Sequence, residues 1–361
     1  MLPPVEYLRW AIETFPHARR DLATSGVPSV PAGELLGDGV NLSDPGALGA
    51  FARGVAARYS VPAEEVMPAL GTAGAAWIVA AAVLGGSHGA EVIVEEPTYE
   101  PLLRVVEGLG ARVKRVRRRA EEGFRLEPRA LREVLSEETR LVVLASPHNP
   151  TGVVTPDEEL AEMAAACAER GAFLFVDEVY RELVAPGTTA RRLGANVIAA
   201  SSLTKCFGVG WARAGWAMLP GELREAARAA EMHMAGVLPV MCGAIGAHAM
   251  TRLDELAGRA ERLSAGKRAI VDAFVERHAE LSWTAPPARA MFGFVQARGV
   301  DVTVGLARAA KEHGVVAVDG AYFGAGAEAG FRLSWATVGV DRLEEALGLL
   351  ADGLGLAGAA R

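Results

Sequence analysis

The chain has 361 residues, 51% of them hydrophobic, and a formal net charge of −7. A chain of this length is too long for one small hydrophobic core, which favours two domains. The acidic balance argues against a nucleic acid or an acidic membrane surface as a partner. The longest apolar run, residues 74–86, is too short to span a bilayer, and the N-terminus does not resemble a signal peptide.

The cysteines are Cys167, Cys206 and Cys242, an odd number without the paired spacing of a metal site. Reduced thiols in a cytoplasmic protein are the simplest interpretation. We therefore expect no disulfide framework and no metal site.

The first part of the chain predicts an irregular arm. An amphipathic segment at residues 5–15 precedes a stretch at 21–28 in which glycine and proline indicate a loop. We expect residues 1–44 to form this arm and to join the smaller domain. An amphipathic helix is predicted at 47–59 and a short strand at 65–70, followed by a buried helix that ends near residue 84.

From residue 91 onward, short β-rich runs alternate with helical segments. Strands are predicted at 91–95, 112–116, 141–145, 173–177, 197–201 and 214–219, with helices at 99–109, 128–135 and 157–170. Nearly continuous apolar strands separated by helices predict an α/β fold with a mainly parallel sheet covered on both faces. We expect this large domain to extend over residues 45–245.

The last part, residues 246–361, predicts a smaller α+β domain. A long helical region from residue 221 is interrupted near Pro239 and is expected to continue as a linking helix at about 246–277. Shorter elements follow: strands at 281–284, 292–297, 315–318 and 331–335, and helices at 304–313 and from 341.

Gly71-Thr72-Ala73-Gly74 lies between the strand at 65–70 and the buried helix. Free N–H groups at a helix N-terminus bind phosphate, and glycine permits close approach of a ligand. An ordinary turn would also explain this segment. This segment has neither a Walker A motif nor G-x-G-x-x-G, which argues against a nucleotide cofactor here.

Other polar residues follow predicted strands. Tyr99 comes after the strand at 91–95, where an aromatic ring could stack on a flat heterocycle or simply pack locally. Asn149 lies in Asn-Pro-Thr-Gly after the strand at 141–145, a string that a turn also explains. Asp177 ends an apolar strand, where a carboxylate is costly unless it meets a cation or donors. We interpret the neighbouring Glu178 as solvated or capping.

Lys205 is one of four lysines in the chain and is surrounded in sequence by hydroxyl, glycine and apolar residues. A lysine without a local ion pair tends to have a lowered pKa and can serve as an amine nucleophile, although a lysine on a loop that extends to solvent is the alternative. Ser202, Thr204 and Arg213 supply the hydroxyls and guanidinium that a phosphate monoester needs. An amine beside a phosphate site suggests pyridoxal phosphate held as a Schiff base.

Arg332 lies in the alternating string Phe331-Arg332-Leu333-Ser334-Trp335. Alternation places its side chain on the face opposite Phe331 and Leu333. A solvated arginine on an edge strand is one interpretation, and an anion-binding arginine is the other.

Residues 202–215 match Ser-x-x-Lys-x-x-Gly-x-x-x-x-Arg-x-Gly and resemble the lysine signature of the class I/II (fold type I) aminotransferases. Residues 149–152 are similar to the family's Asn-Pro-Thr-Gly, and the motifs from residue 71 to 335 follow the family's order. The resemblance implies pyridoxal 5′-phosphate as cofactor and a large domain with a seven-stranded, mainly parallel sheet between helices. It also implies a smaller α+β domain and a homodimer with active sites at the interface.

The resemblance further implies a role for each matching residue. Lys205 would form the Schiff base and move the Cα proton, with Asp177 holding the ring nitrogen protonated and Tyr180 and Asn149 on the phenolic oxygen. Tyr99 would stack on the ring, and Arg332 with Asn149 would bind the substrate carboxylate, over which the backbone of Ser25 and Gly26 would close. The phosphate would be held by Gly71, Thr72, Ala73, Ser202, Thr204 and Arg213.

One departure concerns the family tyrosine that reaches the partner subunit's phosphate. The corresponding segment, residues 40–46, contains no tyrosine, and Asn41 and Ser43 are the candidates to replace it. The expected activity is transfer of an α-amino group from an amino acid to a 2-oxo acid. Another reaction of the same cofactor (β- or γ-lyase, cyclase or decarboxylase) would use the same residues. A cofactor-sensing transcription factor would need an added basic helix-turn-helix, which the arm does not provide.

Overall fold

The computed structural model describes residues 2–37, 39–86, 89–283, 285 and 291–356. It confirms the α/β class, and the helices and strands follow the predicted order closely. Residue 284, the last of the strand expected at 281–284, lies outside the described residues. The α-helices are α1 (Glu6–Thr14), α2 (Ala32–Leu36), α3 (Ala47–Tyr59), α4 (Gly71–Leu84), α5 (Glu100–Gly108), α6 (Pro128–Val134), α7 (Asp157–Ala168), α8 (Arg224–Ala235), α9 (Val240–Met250), α10 (Leu253–Ser264), α11 (Lys267–Arg277), α12 (Val302–Arg308) and α13 (Val340–Leu354).

The strands form a large sheet, a smaller sheet and a two-stranded pair. They are β1 (Arg20–Asp21), β2 (Val66–Leu70), β3 (Glu91–Glu96), β4 (Arg112–Arg117), β5 (Thr139–Ala145), β6 (Phe173–Asp177), β7 (Val197–Ser202), β8 (Ala214–Met218), β9 (Leu281–Trp283), β10 (Phe292–Ala297), β11 (Val315–Val316), β12 (Val318–Asp319) and β13 (Gly330–Ser334).

The large sheet has seven strands in the order β2-β8-β7-β6-β5-β3-β4, as expected. The five strands from β7 to β4 are parallel to one another, whereas β8 is antiparallel to both β7 and β2. The carboxyl ends of β5, β6 and β7 therefore meet at one edge, where ligands of open α/β sheets bind. Asp177 is the last residue of β6, and the segments that follow β5 and β7 contain Asn149 and Lys205.

Helices cover both faces of this sheet because its strands are apolar on both sides. One face packs against α4, α5 and α8, with Ile78, Leu102 and Ala227 among the buried residues. The other face packs against α3, α6, α7, α9 and α10. This two-sided burial fixes the sheet edge as a rigid platform for the site.

The smaller sheet is antiparallel, in the order β12-β13-β10-β9. It shares a hydrophobic core with α11, α12 and α13. The arm joins this part of the molecule, since β1 pairs in parallel with β11 and Leu22 lies in the same core. We retain the division into residues 1–44, 45–245 and 246–361 as a proposal that this packing supports.

The linking helix expected at 246–277 is wrong as a single element. The segment contains the end of α9 and then α10 and α11 as separate helices. Gly266, with φ of +75°, separates the last two, because a left-handed residue cannot continue a right-handed helix.

The basic run at residues 114–119 contains a buried charge. The Arg118 side chain is fully buried and donates a hydrogen bond of 2.7 Å from Nε to the equally buried Glu95 carboxylate. The sequence does not reveal this pairing because Glu95 lies on the neighbouring strand, β3. None of the helices that the structure describes has the length and apolar character needed to span a bilayer.

Candidate active site

Arg213 lies against the N-terminus of α4. Its Nη2 donates to the Leu70 carbonyl oxygen at 3.3 Å, and a Cβ added at Gly71 would lie only 2.4 Å from that nitrogen. Gly71 also has φ of +70°, and a Cβ at Gly215 would lie 2.5 Å from the Gly71 Cα. Glycine at both positions therefore lets a guanidinium approach the free N–H groups of the helix, which suits an anion.

Hydroxyl groups lie beside the same helix terminus. Thr72 Oγ1 donates to Ser202 Oγ at 3.2 Å, and the Thr204 N–H donates to Ser202 Oγ at 3.4 Å. Ser202 ends β7, whereas Thr72 begins α4 and is followed by the exposed Ala73. The structure thus brings the predicted phosphate-binding residues together from three segments of the chain.

Asp177 ends β6 as a buried carboxylate, 6% exposed. Within the described residues its hydrogen bond comes from the Val179 N–H, at 3.0 Å to Oδ1. Burial raises the pKa of Asp177 to about 7, and the nearby Glu95 charge acts in the same direction. A buried carboxylate with one donor is stabilised by a cation placed against its second oxygen.

Lys205 lies beyond the end of β7 with its amine inside the protein. Burial lowers the pKa of Lys205 to about 8, and the charge of Arg332 adds to this shift, whereas Asp177 opposes it. Its Nζ donates to Ser25 Oγ at 3.5 Å. An amine with this pKa is partly neutral near pH 8 and can act as a base or nucleophile.

Tyr180 lies three residues beyond Asp177, and its hydroxyl is 2.7 Å from Ser25 Oγ. Burial raises the pKa of Tyr180, so its hydroxyl stays protonated and can donate. Ser25 was expected to contribute its backbone, but here it places its side chain between Tyr180 and Lys205. Gly26 packs on Lys205, since a Cβ at Gly26 would lie 3.1 Å from the lysine Cδ.

Arg332 on β13 is buried and faces the large sheet. Nη1 donates to Asn149 Oδ1 at 2.8 Å, and Nη2 donates to the Ala23 carbonyl oxygen at 2.7 Å. Among the described residues, none accepts a hydrogen bond from its buried Nε. A buried guanidinium with an unused donor, held by neutral acceptors alone, is suited to binding an anion such as a carboxylate.

The sequence did not reveal Tyr7. Its hydroxyl accepts a hydrogen bond of 3.0 Å from Arg332 Nη2, and its ring lies 5.5 Å from that of Tyr99, edge to face. The Tyr7 N–H donates to Glu100 Oε2 at 2.7 Å, which fixes the start of α1 over the site. In sequence, Tyr7 resembles an apolar residue of an amphipathic helix, so no local signal distinguished it.

From the sequence, His148 is interpreted only as a turn residue. It is fully buried between Asn149 and β5, with Nδ1 2.7 Å from Thr151 Oγ1 and Nε2 2.9 Å from the Pro97 carbonyl oxygen. Burial holds its pKa well below the ordinary value, so it is a neutral link between the loops that carry Asn149 and Tyr99. Its position next to Asn149 was the only available signal.

Glu178, expected to be solvated or capping, is buried and not solvated. It accepts hydrogen bonds from the Thr189 hydroxyl at 2.8 Å and from the Ala190 N–H at 2.9 Å. These contacts cap the start of the short 3₁₀ helix Ala190–Leu193, so only the capping interpretation holds.

The site fits pyridoxal phosphate on its own geometry. Glycine at Gly71 and Gly215 lets the Arg213 guanidinium lie against the start of α4, and a guanidinium beside free helix N–H groups suits a phosphate. Asp177 offers a buried carboxylate for a protonated ring nitrogen, and Lys205 offers an amine with a lowered pKa. The fold and site together define a pyridoxal-phosphate-dependent enzyme of fold type I.

The sequence profile of aminotransferase class I and II matches residues 32–350. The chain therefore belongs to this family, which the resemblance in the sequence predicted.

Among individual relatives, the chain is 34% identical over 220 residues to a probable N-succinyldiaminopimelate aminotransferase of Mycobacterium tuberculosis; this match covers 57% of the chain and 55% of the relative. The matched region thus spans about half the length of that protein. Capreomycidine synthase of Streptomyces vinaceus is 28% identical over 354 residues, covering 90% of the chain and 87% of the synthase.

Solved structures show the same fold. A PLP-dependent aminotransferase from Streptococcus suis superimposes with a TM-score of 0.88 at 23% identity, over 98% of both chains. N-succinyldiaminopimelate aminotransferase from M. tuberculosis superimposes with a TM-score of 0.80 at 25% identity, again over 98% of both chains.

Proposed function

We propose that the protein is an aminotransferase that moves the α-amino group of an amino acid to a 2-oxo acid. The observation that carries this proposal is the Lys205 amine, whose pKa burial lowers to about 8 and which lies under the influence of Asp177 and Arg332. A base of this strength, beside a buried carboxylate and a buried guanidinium, is what proton removal next to a carboxylate requires.

We infer that pyridoxal phosphate is held by the residues gathered at this sheet edge. The start of α4, Ser202, Thr204 and Arg213 would bind its phosphate, Asp177 its ring nitrogen, Asn149 and Tyr180 its phenolic oxygen, and Tyr99 the face of its ring. When bound, this cofactor supplies an aldehyde carbon that reacts with amines and a ring that accepts the electron pair of a bond broken at Cα.

The protein's own residues would then perform three tasks. Lys205 removes the proton from the substrate Cα as a general base. Asp177 keeps a proton on the ring nitrogen, because a buried carboxylate that is paired with a cation is far more stable than a buried carboxylate alone. Arg332 binds the substrate α-carboxylate and orients the Cα–H bond toward Lys205.

The activity is tested by incubating the purified enzyme with candidate amino acids and recording conversion of the bound cofactor to its pyridoxamine form. Lys205→Ala should abolish both the visible absorbance and the borohydride-stable label on the protein, while the exposed Lys311→Ala should retain both. A colourless wild-type protein that takes up no cofactor contradicts the proposal.

A second reaction of the same cofactor is favoured by one observation. Capreomycidine synthase matches nearly the whole chain, whereas the mycobacterial aminotransferase matches little more than half of it. We therefore propose a cyclising or eliminating reaction as the alternative. Product analysis decides between the two, since transamination yields a 2-oxo acid and pyridoxamine phosphate, whereas the alternative regenerates the cofactor aldehyde at each turnover.

We also propose a homodimer. Exposed apolar side chains lie together on α8, α9 and the turn between them, with Met232, Val237 and Met241 exposed by 53%, 76% and 50%. The start of α9 is close to the site, because the charge of Arg213 acts on Cys242. A second copy that covers this surface would therefore also border the phosphate cradle. The free thiols of Cys167, Cys206 and Cys242 support a cytoplasmic location as a further proposal.

A further inference from the structure

The arm is bound directly to the lysine loop. The Val27 N–H donates to the Lys205 carbonyl oxygen at 3.0 Å, and the Val30 N–H donates to the Gly208 carbonyl oxygen at 2.9 Å. A Cβ at Gly26 would lie 3.1 Å from both the Cα and the Cδ of Lys205, so a side chain there would crowd the lysine. Because these contacts surround Ser25, its side chain has a fixed position relative to Lys205.

The Ser25 hydroxyl is buried, 2% exposed, and lies between two functional groups. Its Oγ is 2.7 Å from the Tyr180 hydroxyl and accepts a 3.5 Å hydrogen bond from Lys205 Nζ. A serine hydroxyl has one hydrogen to donate and two lone pairs to accept with, whereas a lysine ammonium can only donate. With Lys205 as donor, the Ser25 hydrogen is free to be donated to the Tyr180 oxygen.

This arrangement gives the hydrogen-bond chain a direction, from Lys205 through Ser25 to Tyr180. The single hydroxyl hydrogen of Tyr180 is then left to point into the site. Without Ser25, that hydrogen has no preferred direction, and the Lys205 amine loses a partner in a place from which water is largely excluded.

We propose that Ser25 is a positioning residue that couples the Lys205 amine to the Tyr180 hydroxyl and directs the Tyr180 hydrogen toward the reacting groups. The inference rests on the proposed function and extends it, because the expected role of Ser25 involved its backbone alone. The Ser25 side chain acts through Tyr180 and Lys205.

The steady-state test uses Ser25→Ala, Ser25→Thr, Tyr180→Phe and the double variant Ser25→Ala/Tyr180→Phe. Ser25→Ala, which removes one directed hydrogen bond, should lower kcat by about tenfold with KM nearly unchanged. Ser25→Thr, which keeps the hydroxyl, should recover most of the activity. In the Tyr180→Phe background, Ser25→Ala should cause almost no further loss, because the two hydroxyls act as one unit.

A second readout uses the cofactor-free protein. Modification of Lys205 by trinitrobenzenesulfonate is followed against pH by mass spectrometry. Since Ser25 accepts a hydrogen bond from the charged amine, Ser25→Ala should lower the pH midpoint, and Ser25→Thr should keep it near that of the wild type. The charges of Arg332, Asp177, Arg213 and Asp21, which also act on Lys205, are unchanged in these variants.

Ser334→Ala is the matched control. Ser334 is a buried serine whose hydroxyl donates to the Thr24 carbonyl oxygen at 2.5 Å, so it also holds the arm but does not reach Lys205. The midpoint should therefore stay in place in this variant. An equal shift in Ser334→Ala would mean that Ser25 merely supports the arm, and would overturn the proposal.

The proposal is also overturned if Ser25→Ala matches the wild type in kcat and midpoint, or if the Ser25 and Tyr180 effects multiply. Failure of the proposed function is recognised separately, as a wild-type protein that neither takes up pyridoxal phosphate nor converts it with amino acids. In that case the labelling experiment on the cofactor-free protein still tests whether Ser25 forms a hydrogen bond with the Lys205 amine.

Discussion

Arg332 donates a hydrogen bond of 2.8 Å to the side-chain oxygen of Asn149, although 183 positions separate the two residues. This contact joins β13 of the smaller sheet to the loop after β5 of the large sheet. The guanidinium is flanked by the rings of Tyr7, Phe292 and Phe323, with its carbon 5.7, 5.6 and 5.4 Å from their centroids. Such a packed surrounding fixes the direction of the charged group before any substrate binds.

Arg332→Ala should lower kcat/KM for the amino-acid substrate, with a loss of transition-state stabilisation of roughly 2–5 kcal/mol, because a substrate carboxylate would then be buried without its partner. Arg332→Lys keeps the charge but not the fork of donors, and should fall between the alanine variant and the wild type. Steady-state kinetics with the best donor measures both. An unchanged kcat/KM in the alanine variant would remove Arg332 from the substrate site.

Gly71→Ala should weaken cofactor uptake by at least about tenfold, because the new Cβ would displace the Arg213 guanidinium, which we propose as a partner of the phosphate. Gly85→Ala is the matched control at the other end of α4. Gly85 also has positive φ, +54°, but a Cβ there meets no atom of the described residues within 4 Å. Both variants carry backbone strain, so equal affinity in the two would show that the cradle does not bind the phosphate.

Asp177→Asn should show a pH-dependent effect on the stability of the cofactor-free protein. Burial raises the pKa of Asp177 to about 7, from about 4 in an unfolded chain. The stabilisation from this carboxyl is therefore complete below about pH 4 and is lost as the pH rises through about 7.

Asparagine does not ionise, so the Tm of Asp177→Asn relative to the wild type should rise between pH 5 and pH 8. Thermal denaturation at several pH values measures this difference in Tm. Glu178 titrates in both proteins, so its contribution largely cancels from the difference. With cofactor bound, the wild type should instead have the higher Tm, because its Asp177 carboxylate then meets a cation. A difference in Tm that does not vary with pH would contradict the raised pKa.

Val237→Asp combined with Met241→Asp should dissociate the proposed homodimer, because two charges would be buried in an apolar contact without partners. Sedimentation velocity over a range of concentrations measures the association. Ile12→Asp is the control, since Ile12 is 74% exposed on α1, an element separate from α8 and α9. A protein that is monomeric before substitution, or a dimer unaffected by it, would place the interface elsewhere.

The sequence predicted the order of strands and helices well because each element follows from local periodicity and its bounding turns. The strand at 173–177 was predicted over the same residues as the observed β6, and the helix at 47–59 over those of α3. The linking helix failed because apolar spacing continues across Gly266, whereas the chain turns there.

The position of Asp177, Lys205 and Asn149 at one sheet edge was also implied by the sequence, since the carboxyl ends of parallel strands share an edge. The contacts between distant segments of the chain followed from the tertiary structure alone. Ser25 and Tyr180 lie 155 positions apart, and nothing local in either segment indicates that their hydroxyls lie 2.7 Å from each other. The sequence determined which chemical groups are available, whereas tertiary packing determined which of them touch, because contacts between distant segments depend on how the whole core is filled.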